Sequence, residues 1–235
     1  MHEENLQRLS GYGIQGNSRD FIVLHYLVSD LKHAVNKYAV GDVLDIGCGN
    51  KPYEDLFLQK NCYYKGCDVV QSSLHKVDVI CAANELKFVD NLFDTVFSTQ
   101  VIEHVPYPEE MIAEAYRVLR PGGIFIITFP FTWELHEEPY DYFRYTKYGM
   151  RHMMQKQGFH VVEEKCNGGK WATVFQLFIN SVYLGFTKKD TLTTLLKFIF
   201  IKLRFTFLLN KAALYFDRKF YDETLSLNYI FVVKK

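Results

Sequence analysis

Two hydrophobic periods alternate along this chain. Over residues 21–39 the apolar positions Phe21, Leu24, Leu27, Leu31 and Val35 recur at helical spacing, which predicts a helix with one buried face. Short apolar runs follow at 42–46, 63–69, 76–81, 95–98, 124–129, 160–165 and 228–234, and these read as strands. Between them, residues 53–59, 109–119 and 145–157 carry helical patterns, with Pro121, Gly122 and Gly123 closing the second and Gly158 the third. Strands alternating with helices predict an α/β chain built on a mostly parallel sheet with helices on both faces. Residues 1–17 are polar and glycine-bearing, and read as a loop or short lid. The organisation expected is therefore an N-terminal loop and helix over 1–39, a core over 40–169, a helical insertion over 170–220 and a final strand within 221–235. No internal repeat or low-complexity segment interrupts it.

The strongest local pattern is Val43 to Gly49, sequence VLDIGCG, in which an apolar strand runs into an acidic residue and two glycines. Without a Cβ, Gly47 and Gly49 let the backbone turn sharply and approach a ligand closely. Strand, glycine turn and helix together form a ligand cradle at the carboxyl end of a parallel strand. Asp68 ends the next strand about 20 residues on, the spacing at which a carboxylate reaches both hydroxyls of a ribose. The pattern G-x-G lacks the third glycine of dinucleotide folds, which favours a nucleoside ligand with no pyrophosphate to hold.

With those residues, segments 91–105 (NLFDTVFSTQVIEHV), 109–119 and 120–129 (RPGGIFIITF) follow in register. Over residues 40–165 the sequence resembles the class I S-adenosylmethionine-dependent methyltransferases. The resemblance implies a Rossmann-like sheet of seven strands, the seventh antiparallel, and S-adenosylmethionine as cofactor. It implies that Asp45 orders the loop and the methionine end, and that Gly47, Cys48 and Gly49 contact the ligand through their backbone. Asp68 is implied as the ribose clamp, and Thr99 and Gln100 as backbone contacts to the methionine part. Adenine recognition departs from the pattern: Ala82 stands where relatives carry an acid and Lys87 where they carry a proline, leaving the Ala83 N–H, with help from Asn84, to meet the ring. That departure keeps a binding module without turnover open beside the enzyme.

Methyl transfer from a sulfonium is an in-line displacement, so the protein must align the reactants and exclude water, with a base needed where the acceptor is a hydroxyl. His104, beside Glu103 in the loop after the fourth strand, is one candidate base. The most distinctive stretch runs from Phe129 to Thr146 and gathers His136, Asp141 and Arg144 among Trp133, Tyr140, Tyr142, Phe143 and Tyr145. Aromatic walls with a few polar groups suit a substrate pocket; equally, Asp141 and Arg144 would brace the loop as an ion pair while Thr146 caps the next helix. The pattern H-x-x-P-x-D-x-x-R-x-T resembles a bacterial subgroup tied to cell-surface polysaccharide pathways. It implies a sugar, glycan precursor or lipid-linked acceptor, methylated on oxygen or nitrogen, with a quinone-like small molecule as the rival. The spacings of His104, His136 and Asp141 match no recognised zinc pattern, and no metal is expected.

Composition narrows the field further. Twenty-seven Lys and Arg balance 27 Asp and Glu, so no global basic field draws in nucleic acid. Five cysteines without a C-x-x-C pair read as reduced thiols, and the first residues lack a signal peptide, which together suggest a cytoplasmic protein. In the insertion, residues 191–216 are strongly apolar, with Lys197, Arg204 and Lys211 recurring every seventh position. On one helix they form a basic stripe, as in helices that lie in a membrane interface; packing on the domain or in a dimer explains the same pattern. Peripheral contact with the inner face of the membrane is one expectation. Oligomeric state stays open.

Overall fold

Seven strands form one sheet in the order β3-β2-β1-β4-β5-β7-β6, where β1 is Asp42–Ile46, β2 Tyr63–Asp68, β3 Val79–Ile80, β4 Phe93–Thr99, β5 Leu119–Pro130, β6 His160–Asn167 and β7 Asn228–Lys234. The computed structural model describes residues 15–185 and 191–235, so most of the expected N-terminal loop lies outside the described residues. Contacts divide the described residues into two units, one holding Asp30–Lys165 and Tyr229–Lys235, the other 15–29 and the described part of Cys166–Asn228.

In the first unit the pairs β3–β2, β2–β1, β1–β4 and β4–β5 are parallel. Strands in such a sheet are covered on both faces, which is why they read as continuous apolar runs. Val43, Leu44, Val96, Phe97, Phe125, Ile126 and Ile127 are fully buried. The polar residues among them are satisfied locally: Ser98 Oγ donates to the Ile46 carbonyl (2.9 Å) and Thr95 Oγ1 to that of Val40 (2.9 Å). Helix α1 (Phe21–Tyr38) precedes β1, and helices α2 (Glu54–Leu58), α3 (Pro108–Val118) and α4 (Lys147–Lys156) connect the strands. Thr146 caps α4 by accepting the Gly149 N–H at 3.1 Å. At the far side of β5, Gly122 N–H donates to the Lys235 carbonyl and Lys235 N–H to that of Gly123. The end of β7 therefore lies beside the start of β5, and β7 runs against its neighbour.

Two elements of the first unit depart most from the sequence expectation. Pro121, Gly122 and Gly123 do not separate α3 from β5 as a free turn; β5 already begins at Leu119. Leu119 pairs with Phe93 and Ile124 with Thr95, so Arg120–Gly123 bulges opposite Asp94 while Lys235 supplies the missing partners. The third strand is Val79–Ile80 and not 76–81. Gln71 Oε1 accepts the Val77 N–H and Ser72 Oγ the Lys76 N–H, so these residues are spent on a local turn before the chain can extend.

The second unit contains α5 (Lys170–Gly185), α6 (Thr191–Lys197), a π-helical turn at Phe198–Lys202 and α7 (Phe205–Lys219). The single basic-striped helix expected over 191–216 is not formed. Arg204 adopts φ 57°, a left-handed conformation that ends one helix and starts the next, so Lys197, Arg204 and Lys211 share no helix face. The helices are joined by buried polar groups. Asp217 of α7 accepts from Tyr26 Oη (2.8 Å) and from the N–H groups of Gly169 and Ala172 (3.0 Å each), which caps the start of α5. Gln176 and Asn180 bond to each other, and Asn210 reaches the Gly16 and Ser18 carbonyls. Meanwhile Leu192, Leu195, Phe198, Leu203 and Leu208 are more than half exposed. None of the described helices is long and apolar enough to cross a membrane.

Candidate active site

The glycine turn after β1 is tied to the end of β2. The N–H groups of Gly47 and Cys48 both donate to the Cys67 carbonyl, at 2.9 and 3.0 Å. Gly47 has φ 76°, and a Cβ there would stand 2.4 Å from Cγ2 of Val101 in the loop after β4. The turn and that loop are thus in contact, and only glycine permits it. Gly49 N–H donates to Asp68 Oδ2 (3.0 Å) and Val69 N–H to Oδ1 (2.7 Å). Val70 N–H adds to these donors, so backbone groups fix the orientation of the carboxylate that would meet a ribose. Burial raises the Asp68 pKa, while these backbone donors oppose the rise.

Behind the turn, Asp45 is buried and receives the Tyr64 hydroxyl on Oδ2, while Oδ1 has no hydrogen-bond partner. Burial pushes its pKa up to about 8 despite Tyr64. An orphaned carboxylate oxygen beside the cradle fits a ligand that brings a positive group, such as the amino end of methionine. Cys48 is also buried, its thiol held strongly protonated by desolvation. It occupies the space over Gly66, where a Cβ would come within 2.5 Å of Sγ. Gly66 and Tyr64 escaped the sequence reading because a glycine and a tyrosine inside a strand carry no local signal; their meaning comes from the β1–β2 register.

For the adenine end, Ala83 sits in a turn after β3, and its N–H has no partner among the described residues. Asn84 is less free, since its amide donates to Glu110 Oε2 at 2.9 Å. At the end of β4 the Gln100 N–H is committed to the Thr128 carbonyl (3.1 Å), and the side chains of Thr99 and Gln100 both meet Thr128 Oγ1.

Beyond the cradle, the loop after β5 folds onto the short helical turn Ile102–His104. Tyr142 and Phe143 N–H groups donate to the Glu103 carbonyl, and Tyr145 Oη to that of Ile102. This brings His104 and His136 together, ring centroids 4.7 Å apart and planes at 80°. Asp141 and Arg144 form the bracing pair: Nη1 to Oδ1 at 2.5 Å and Nη2 to Oδ2 at 2.7 Å. Asp141, which is 2% exposed, also accepts the His136 N–H, and Arg144 reaches the Glu134 carbonyl. Burial works against its charge, yet Arg144 and the His136 N–H hold its pKa near about 2. These two residues shape the loop, and their hydrogen-bonding capacity is largely spent there. Burial, then the neighbouring His104, lowers the His136 pKa, as suits a neutral imidazole. Glu103, passed over in the sequence as the neighbour of His104, is fully buried with neither carboxylate oxygen hydrogen-bonded, and burial pushes its pKa up to about 8.

Comparison with known proteins agrees with this geometry. Residues 44–127 match a family model described as a methyltransferase domain. A probable S-adenosylmethionine-dependent methyltransferase of Mycolicibacterium smegmatis is 34% identical over 97 residues, 38% of each chain. A ubiquinone biosynthesis O-methyltransferase of Rickettsia typhi is 25% identical over 118 residues, 46% of this chain and 48% of that one. The chain spans less than half the length of these curated relatives. Among solved structures, an S-adenosylmethionine-dependent methyltransferase from Archaeoglobus fulgidus superposes with a TM-score of 0.58 over 93% of this chain and 95% of its own, at 17% identity. The sheet is thus Rossmann-like, the fold of that structure, and residues 44–127 are the part that matches the methyltransferase-domain model.

Proposed function

We propose that this chain transfers a methyl group from S-adenosylmethionine to an oxygen or nitrogen of a sugar, glycan precursor or lipid-linked acceptor. The observation that carries the cofactor assignment is the buried Asp68 carboxylate, fixed by backbone N–H groups at the end of β2 beside a turn that admits no Cβ. S-adenosylmethionine would bring an already activated methyl. The chain's own residues supply the rest: Asp68 holds the ribose, Asp45 favours the amino end, and the loop after β5 closes the acceptor side against water. His104 and His136, partly exposed at that side, are placed to take a proton from an acceptor hydroxyl. An aromatic quinone-like acceptor is the second reading; it is favoured by Tyr140, Tyr142 and Phe143, exposed on the same loop, and by the ubiquinone-pathway relative.

A peripheral membrane contact by the second unit belongs to the same proposal. Its helices bury Gln176, Asn180, Asn210 and Asp217 and turn leucines and phenylalanines outward, the reverse of a water-facing bundle. Lys197, Arg204 and Lys211 add positive charge near that surface. The test of the cofactor reading is a calorimetric titration of S-adenosylhomocysteine into wild type and Asp68→Ala. Binding by wild type, at least about 10-fold weaker in the variant, supports it, since a lost charged hydrogen-bond pair costs about 1.5–3 kcal/mol. No binding by folded wild type refutes it. Flotation with anionic liposomes, repeated after changing Lys197, Arg204 and Lys211 to Glu, tests the membrane contact; equal behaviour of the two proteins removes it.

A further inference from the structure

The geometry points to a divalent-cation site built by Glu103, His104 and His136, suited to a first-row transition ion and opening toward the acceptor. One donor atom from each of the three lies within 4.8 Å of the others. They come from the loops after β4 and β5, parallel neighbours whose carboxyl ends share one edge of the sheet. Two imidazoles and one carboxylate leave coordination positions free for water or substrate, and they suit zinc, manganese, cobalt or iron better than magnesium or calcium. This goes against the expectation from sequence, where His104 and His136 match no metal spacing. The site is formed by two loops meeting, which no single-segment pattern reports.

Two independent features aim at a ligand. The first is the Glu103 carboxylate, fully buried, with neither oxygen hydrogen-bonded. Buried carboxylates are paired or coordinate metals, and this one has His104 Nε2 3.8 Å from Oε1, beyond hydrogen-bonding distance. The second is the state of the histidines. His104 Nδ1 lies 2.9 Å from the Tyr140 carbonyl oxygen, which can only accept, so Nδ1 carries the hydrogen and Nε2 keeps its lone pair. His136 Nδ1 faces two acceptors, the Glu134 carbonyl (3.2 Å) and Asp141 Oδ2 (3.3 Å). It too is the protonated nitrogen, although Arg144 Nη2 lies 3.3 Å away; that group already donates to Asp141 and Glu134. Carbonyl and carboxylate partners of this kind orient metal-bound imidazoles and fix their tautomer. The Asp141–Arg144 brace thereby acquires a purpose as the outer support of His136. Metal bonds of about 2.0–2.2 Å bring ligand atoms to roughly 3–3.5 Å of one another, so donors within 4.8 Å need close by at most about 1.5–2 Å.

In methyl transfer, a role that rests on the function proposed above, an ion here would bind the acceptor hydroxyl and lower its pKa, replacing direct proton transfer to His104 or His136. The oxygen–methyl bond forms as the sulfur–methyl bond breaks, and the hydroxyl proton leaves to solvent. The test is a titration of Co2+ into the full chain, followed by calorimetry and visible absorption, without S-adenosylhomocysteine. One ion per chain is expected, with visible bands of nitrogen and oxygen ligation and no near-ultraviolet thiolate band, which separates this site from the five buried cysteines. Glu103→Gln and His136→Gln are each expected to weaken binding at least about 10-fold, while S-adenosylhomocysteine binding stays near wild type. Failure of the folded chain to bind Co2+, Zn2+ and Mn2+, or unchanged affinity in both variants, overturns the proposal. Metal binding without S-adenosylhomocysteine binding by wild type would leave this site standing and remove the methyltransferase reading; the converse result would remove only the metal.

Discussion

Replacing Gly47 by alanine separates the two demands that the cradle places on one residue. At φ 76° an L-residue costs about 1–2 kcal/mol. The added Cβ would also lie 2.4 Å from Cγ2 and 2.9 Å from Cγ1 of Val101, well inside the 3.5–4.0 Å at which carbons rest comfortably. Forcing a methyl into such a contact costs about 1–3 kcal/mol. Gly47→Ala should therefore lose about 2–5 kcal/mol in urea unfolding. Val101→Ala, at a partly exposed position, should lose about 1 kcal/mol alone. In the double variant the two clashing methyls are gone, leaving the backbone term and a milder Cβ–Cβ contact of 3.2 Å. The cycle should then show a favourable coupling of about 1–3 kcal/mol. Additivity within about 0.5 kcal/mol would mean that the two loops are not in contact through these atoms, and the argument for a glycine at this position would fail.

Two further outcomes test neighbouring features. Thr146→Ala should cost about 1 kcal/mol in the same assay and Thr146→Ser much less, because only the former loses the acceptor for the Gly149 N–H; equal losses would deny the cap its role. Asp45, with its pKa raised to about 8, keeps a proton in the folded state that the unfolded chain releases near about 4. Its contribution is therefore present at low pH and lost as pH rises from about 4 through 8. Asp45→Asn should flatten the fall of the urea midpoint between pH 5 and 8.5 in the presence of a chelator, and a slope unchanged from wild type would contradict this burial argument.

What was readable in the sequence followed from locality. Asp45, the glycines and Asp68 lie at the ends of strands whose apolar runs announce them, and Asn228–Lys234 appears with the bounds that its pattern gives. The bulge at Arg120–Gly123 was hidden because its partner is Lys235, more than a hundred positions away, whereas proline and glycine locally spell a turn. The seven-residue recurrence of Lys197, Arg204 and Lys211 misled because periodicity assumes an unbroken helix, and Arg204 turns left-handed. Glu103 was overlooked for a related reason. Burial and lack of partners are properties of the loop that covers it, and the sequence shows only a glutamate beside a histidine.

The helical excursion between β6 and β7 leaves and returns at one point. Lys170 N–H bonds to the Asp222 carbonyl at 2.8 Å, and Cys166 Sγ lies 3.9 Å from the carbonyl of Glu223. Topologically, the whole of α5 to α7 is an enlarged hairpin loop pinched shut at its base. Because closing a loop costs only logarithmically more as it lengthens, such a base tolerates growth, exchange or shortening of what it carries. Rewriting the loop therefore changes what β6 and β7 carry between them without moving either strand.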